Sequence, residues 1–224
     1  MEKIKTEGII LTGRYEAASP EEISMIQAFF GEKAEHRFKL YFYWYNVIHE
    51  LGHAIINQSH DAVQNSICPA EEEQLANDFA VAYWTNYGET QKRAELAELI
   101  SFVLTQIPNP AQESIDYMEY AKTHWNSESL STFCGYGWFQ FHSVQHSMEK
   151  AKPPEEVLLN MGVSAPSPAP HCVMQYDLEE QEVSGKILRD ASGILRDRNV
   201  PIPNISHQMT DSPFCHCFML NNRT

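Results

Sequence analysis

Phe38-Lys39-Leu40-Tyr41-Phe42-Tyr43-Trp44-Tyr45-Asn46-Val47-Ile48-His49-Glu50-Leu51-Gly52-His53-Ala54-Ile55-Ile56 is the stretch on which the fold turns. Phe38, Tyr41, Phe42, Tyr45, Ile48, Gly52 and Ile56 recur mostly three or four residues apart, which predicts a buried stripe on one long helix from about 33 to 58. That helix carries His49-Glu50-Leu51-Gly52-His53, an HExxH pattern. Each helical residue turns by about 100°, so residues four apart lie within roughly 40° of each other. His49 and His53 therefore project from one face, where both imidazoles can reach one metal ion. Glu50 points to the side of that pair, placed to touch a water on the metal rather than the metal itself. Two unpaired imidazoles among apolar and aromatic neighbours would be costly, and a metal would satisfy them. Gly52 inside a helix costs about 1 kcal/mol relative to Ala. It points to another backbone, or a substrate, coming close there.

A tetrahedral catalytic site needs a third protein ligand. The metzincin pattern would require Gly at 56 and His at 59, but the chain has Ile56 and Ser59, with His60 one place out. His60-Asp61 is expected in the loop between two zinc helices. Twenty residues after His53 comes Glu73, within Glu71-Glu72-Glu73-Gln74-Leu75-Ala76-Asn77-Asp78-Phe79-Ala80. A second helix, at 71–87, carrying a Glu ligand downstream of the HExxH is the gluzincin arrangement. Glu72 is the rival ligand; Glu73 is favoured because Asn77 stands one turn on, able to hydrogen-bond the outward nitrogen of a ligating His. Glu71 and Glu72 fit the positive end of the helix dipole, and Glu72 is expected to face solvent.

These residues resemble the ImmA/IrrE family of zinc-dependent metallo-endopeptidases, whose members tend to show an HELGH helix followed by an E-x-x-A-N-x-F-A helix. His49 to Ala54 and Glu73 to Ala80 carry both patterns, and the resemblance spans about residues 37–87. It implies a zincin-like core, Zn²⁺ held by His49, His53 and Glu73, Glu50 as general base and acid, and a peptide or protein substrate. Family members act inside bacteria, and several cleave transcriptional repressors. The chain departs from them where the long aromatic stretch Lys39 to Ile48 separates Arg37-Phe38 from His49. Two other readings stay open: a non-catalytic zinc sensor or protein-interaction module, and a helical scaffold in which HELGH is accidental.

Outside this segment the sequence predicts a mainly α protein with at most a small sheet (α+β). Ile4 to Gly13 suggests one short strand. Ser19-Pro20-Glu21-Glu22 combines a cap, a Pro at the first helical position and a capping-box Glu, so a helix runs to about Gly31. Further helices are expected at about 90–107, 111–125, 129–150 and 178–198, with Gly88 closing the 71–87 helix and Pro108-Asn109-Pro110 breaking the next two. Ala165 to Pro170, APSPAP, divides a metallopeptidase domain (1–164) from a C-terminal helical appendage and irregular tail (171–224). Ile187 and Ile194 belong to a seven-residue repeat that packs as an ordinary helix face. His142 and His146 lack a Glu and follow the aromatic run Phe133 to Phe141, so they suit packing as well as a second metal or a cleft His. Cys215-His216-Cys217 lacks the spacing of a zinc knuckle and is assigned to a solvent-facing tail.

The 224 residues carry 16 Lys+Arg against 30 Asp+Glu, a net charge of −14. That balance argues against nucleic acid, whose phosphates need a basic face. No apolar run is long enough for a membrane span, the opening residues show no signal peptide, and five Cys, an odd number, fit a reducing compartment. The expectation is a cytoplasmic protein of undetermined oligomeric state.

Overall fold

The computed structural model describes residues 7–58, 66–111, 115–164, 166–168, 171–215 and 217–221. His60 and Asp61 lie outside the described residues, as does the start of the strand expected from Ile4. Ser19 caps the first helix, α1 (Pro20–Phe30), as its chemistry demands: Ser19 Oγ accepts from Glu22 N–H at 3.2 Å and Glu22 Oε2 accepts from Ser19 N–H at 2.8 Å. Gly31 follows at φ +74°, a left-handed turn that glycine adopts without strain.

The aromatic stretch does not form one regular helix. It runs as α2 (Ala34–Phe38), a π-helical segment (Lys39–Tyr45) and α3 (Asn46–Gln58). Asn46 N–H donates to Tyr41 C=O, five residues back, which marks the wide turn. The predicted stripe is therefore only part of the buried surface. Leu40, Tyr43, Trp44, Val47, Leu51 and Ile55 are buried as well, so the segment is enclosed on nearly every side. Packed against α3 is α4 (Pro69–Tyr87), with Trp44 stacked on Trp84 at 4.0 Å between ring centroids. Gly88 ends α4 at an ordinary φ of −86°; glycine is needed because a Cβ there would meet Trp84 C=O at 2.6 Å.

Helix α5 (Thr90–Gln106) follows as expected, whereas 111–125 shortens to α6 (Tyr117–His124), begun by Asp116 capping Met118 and Glu119. The single helix expected over 129–150 breaks at Thr132. Its Oγ1 accepts from Gly135 N–H, so α7 (Glu128–Ser131) ends and α8 (Phe133–Lys150) begins. A short α9 (Pro154–Asn160), with Pro154 in its first turn, went unread in the sequence, and α10 (Val183–Asp197) completes the helices.

The tail is a correction. It forms β2 (Asn204–Thr210) and β3 (Cys217–Asn221), which flank β1 (Glu7–Gly13) in a sheet ordered β2-β1-β3. Ile10 pairs with His207 in the parallel β1–β2 ladder and with Phe218 in the antiparallel β1–β3 ladder. The division expected at 165–170 likewise does not separate two cores. Ile187, Leu188 and Leu195 of α10 belong to the same hydrophobic cluster as Ile48 and Leu51, and Ser184 Oγ donates to Tyr43 C=O at 3.0 Å. Buried Lys39 reaches across the same junction to Glu179 at 2.6 Å, and on its own side to Glu35 at 2.8 Å. The chain is mainly α with one small sheet, and no helix among the described residues is long and apolar enough to cross a membrane.

Candidate metal centre

Helices α3 and α4 come close at Gly52, where a Cβ would lie 3.1 Å from Ala76 Cα. The close backbone approach expected at this glycine is therefore that of α4. His49, nearly one turn before Gly52 on α3, and His53, the residue directly after it, face the first turns of α4. There His49 Nε2 lies 3.1 Å from His53 Nε2 and 3.2 Å from Glu73 Oε2, and His53 Nε2 lies 3.6 Å from the same oxygen. Among the described residues these three form the one His/Cys/Asp/Glu group able to hold a metal. Zinc–ligand bonds of about 2.0–2.1 Å at tetrahedral angles place donors roughly 3.3–3.4 Å apart, so the triangle fits a zinc ion.

Glu72 does not turn to solvent, as the sequence suggested. Its Oε1 lies 2.9 Å from His53 Nδ1. A carboxylate in that position fixes the tautomer that leaves Nε2 free to ligate and makes the ring a better donor. Asn77, expected to hold a His in this way, touches neither. It accepts from Tyr45 Oη at 2.9 Å and donates to Gln140 Oε1 at 2.9 Å and Ser143 Oγ at 2.8 Å. The reason is axial: residue 77 lies a full turn, about 6 Å, along α4 from residue 73, where its amide meets Gln140 and Ser143 of α8 instead of the histidines. His49 Nδ1 is buried and has no hydrogen-bond partner among the described residues.

Charge ties the cluster together. Burial would lower the pKa of His53, but the hydrogen bonds its ring donates to Glu72 and Glu73 outweigh it and hold the imidazole well above its ordinary value. Burial would raise Glu73, yet His49 and His53 hold its carboxyl well below the usual range. A divalent ion would take over the proton's role at this point, because ligands bind metal in their deprotonated forms.

Glu50 is 7 % exposed and accepts from Asn46 Nδ2 at 3.1 Å, one turn earlier on the helix. With His49 it lines a cavity of about 160 Å³ whose other walls are mostly aromatic, among them Tyr41, Phe133, Tyr136 and Phe141, with Asn46 and Gln140 as polar members. Phe214, from the β2–β3 connection, closes the rim against Phe133 at 5.2 Å between centroids. Sequence reasoning missed Asn46, Tyr136, Gln140 and Phe214; the run Phe133 to Phe141 was the only signal, and it resembles plain core. His142 instead stacks on Tyr117 at 5.8 Å between centroids and His146 lies tilted against it at 5.9 Å, in the packing of α6 on α8. No protein-family model, curated protein or solved structure matches this chain.

Proposed function

We propose that this protein is a zinc-dependent metallopeptidase of the gluzincin type, similar to the ImmA/IrrE endopeptidases. The observation that carries the proposal is the convergence of His49 Nε2, His53 Nε2 and Glu73 Oε2 beside a cavity that Glu50 also lines. His49, His53 and Glu73 would hold the ion. When bound, zinc supplies a Lewis acid that polarises a carbonyl and lowers the pKa of water towards about 7. Glu50 then takes the proton at its carboxylate and returns it to the leaving amine. Asn46 keeps that carboxylate turned towards the cavity, and Glu72 keeps His53 in its ligating tautomer. The aromatic walls limit bulk water around the reacting carbonyl, which strengthens every charge interaction there.

The substrate is a peptide or protein chain, and nucleic acid is not part of the reaction. We assign the protein to the cytoplasm, because five cysteines, an odd number, fit a reducing compartment better than a disulfide framework. The test is a pair of substitutions on the metal-loaded protein. Glu50→Gln should retain one zinc per chain and lose hydrolysis of a mixed peptide library read by mass spectrometry. His49→Ala should lose the zinc. A pure Glu50→Gln protein that still cleaves peptides would sink the assignment of Glu50.

A further inference from the structure

Tyr136 occupies a position that the metal cluster and Glu50 do not explain. Its ring stands at the cavity rim, 41 % exposed, while its hydroxyl turns inward. That oxygen accepts from Gln140 Nε2 at 2.7 Å. The same nitrogen donates to Glu73 Oε2 at 2.5 Å. The phenol oxygen is therefore no more than 5.2 Å from the ligand oxygen, the sum of those two bonds.

The direction of each hydrogen bond is fixed from behind. Tyr45 Oη donates to Asn77 Oδ1, which turns the Asn77 amide so that its Nδ2 donates to Gln140 Oε1. Gln140 must then present its NH₂ to Glu73 and Tyr136, because its oxygen is already engaged. A Tyr oxygen that receives a hydrogen bond keeps its own proton for another acceptor. No acceptor for that proton is found among the described residues, and the cavity that holds Glu50 and His49 lies in front of it. Burial, and then the charges of Glu73 and Glu50, raise the Tyr136 pKa well above its usual value, so the group remains a donor at neutral pH.

From this geometry we infer that Tyr136 is a catalytic residue whose hydroxyl donates to the substrate carbonyl oxygen as it takes on negative charge. The inference rests on the peptidase proposal for its substrate, and it concerns a separate atom. A donor already aimed before the reaction stabilises developing charge without reorganisation, and losing one such donor costs roughly 100- to 1000-fold in kcat. Gln140 is its positioning residue, holding Tyr136 and Glu73 from one nitrogen.

The test compares Tyr136→Phe with the unaltered protein, both zinc-loaded. The ring and its packing remain, and only the hydroxyl goes. Zinc affinity, measured by chelator competition, should be unchanged. Binding of benzylphosphonate, a tetrahedral oxyanion, should weaken roughly 10- to 100-fold, as loss of a hydrogen bond to a charged group predicts. Peptide hydrolysis should fall through kcat with KM nearly constant. Equal phosphonate binding by the two proteins, or binding by neither, would overturn the inference. A matching loss of zinc would overturn it too, because Tyr136 would then act only by holding Glu73 in place. If the unaltered protein cleaves no peptide while the phosphonate contrast stands, the peptidase proposal fails and the donor role of Tyr136 does not.

Discussion

Gly52→Ala separates two effects that usually travel together. In a helix interior the change should stabilise by about 1 kcal/mol, since Ala loses less conformational freedom on folding. At residue 52 the new Cβ would stand 3.1 Å from Ala76 Cα and 3.3 Å from both Ala76 Cβ and Phe79 Cδ1. Carbon atoms rest at about 3.5–4.0 Å, so α3 and α4 would have to part by about 0.5 Å. Nothing soft absorbs the strain: the nearest atom is backbone, and Ala76 and Phe79 are both buried. Overpacking of this kind costs about 1–3 kcal/mol, which leaves the metal-free protein about 0–2 kcal/mol less stable. The effect on the metal should be larger in proportion. His49 and His53 ride on α3 and Glu73 on α4, so the separation moves the ligands apart by more than the ±0.2 Å a zinc site tolerates. Zinc affinity should fall by roughly tenfold or more. Urea unfolding in the presence of chelator gives the first quantity, and competition with a calibrated zinc dye gives the second. Gly193→Ala is the control: it lies in α10, exposed, with nothing within 4 Å of the added Cβ. It should gain about 0.5–1 kcal/mol and leave zinc affinity alone. If Gly52→Ala behaves like Gly193→Ala on both measurements, the close approach of the helices does not govern the site.

Glu72→Ala should keep a zinc site but weaken it roughly 10- to 100-fold, because His53 Nδ1 loses the acceptor that orients it, whereas Glu73→Ala should abolish stoichiometric zinc. Zinc content after dialysis decides it, and retention by Glu73→Ala with loss by Glu72→Ala would put the ligand one residue earlier. Glu71 is a pH-sensitive cap: Lys122 at 2.6 Å, and then Cys68 N–H, pull its pKa from the model-compound value of 4.5 down to about 2. The folded pKa is depressed, so the stabilisation is complete above pH 4.5 and is lost as the pH falls towards 2. Its carboxylate is 39 % exposed, and screening limits the contribution to about 1 kcal/mol. Urea midpoints of the unaltered protein and Glu71→Gln should therefore differ at pH 7 and converge near pH 2; a constant gap across that range would refute the linkage.

The parts of the site legible in the sequence are those whose geometry is local. Helical rotation places His49 beside His53 without any knowledge of the fold, and Ser19 with Glu22 announces α1 in the same way. Gly52 was legible as a cost that something had to offset, and α4 proved to be that neighbour. What escaped depends on partners far along the chain. Ile205, His207 and Met209 alternate as a strand would, but β2 acquires its meaning only by pairing with β1 some two hundred residues earlier. Pro201, Pro203 and Pro213 made the tail look irregular, but all three lie outside the strands, Pro203 directly before β2 and Pro213 in the β2–β3 connection. Tyr136 and Gln140 were hidden for another reason. Aromatic residues at helical spacing signal burial whether or not one hydroxyl among them faces a cavity, and only the side-chain network from Tyr45 reveals which does.

The three consecutive glutamates at the start of α4 show how far helical rotation alone can distribute function. Each step of one residue swings the side chain by about 100° and lifts it by 1.5 Å. Glu71 thereby turns back on its own helix end and outward to Lys122. Glu72 reaches the outer nitrogen of His53, and Glu73 the inner nitrogens of both histidines. Only the third job needs a carboxylate closed off from water, and Glu73 is the one withdrawn: the side chains of Glu71, Glu72 and Glu73 are 39 %, 34 % and 15 % exposed. A simple acidic triplet at a helix start would leave all three in solvent, serving only the dipole. Here the approach of α3 withdraws Glu73 from most of the water while Glu72 stays about as exposed as Glu71, and Glu72 and Glu73 each meet a histidine nitrogen. Packing of the two helices, rather than the acidity of the triplet, therefore gives Glu72 and Glu73 their different roles.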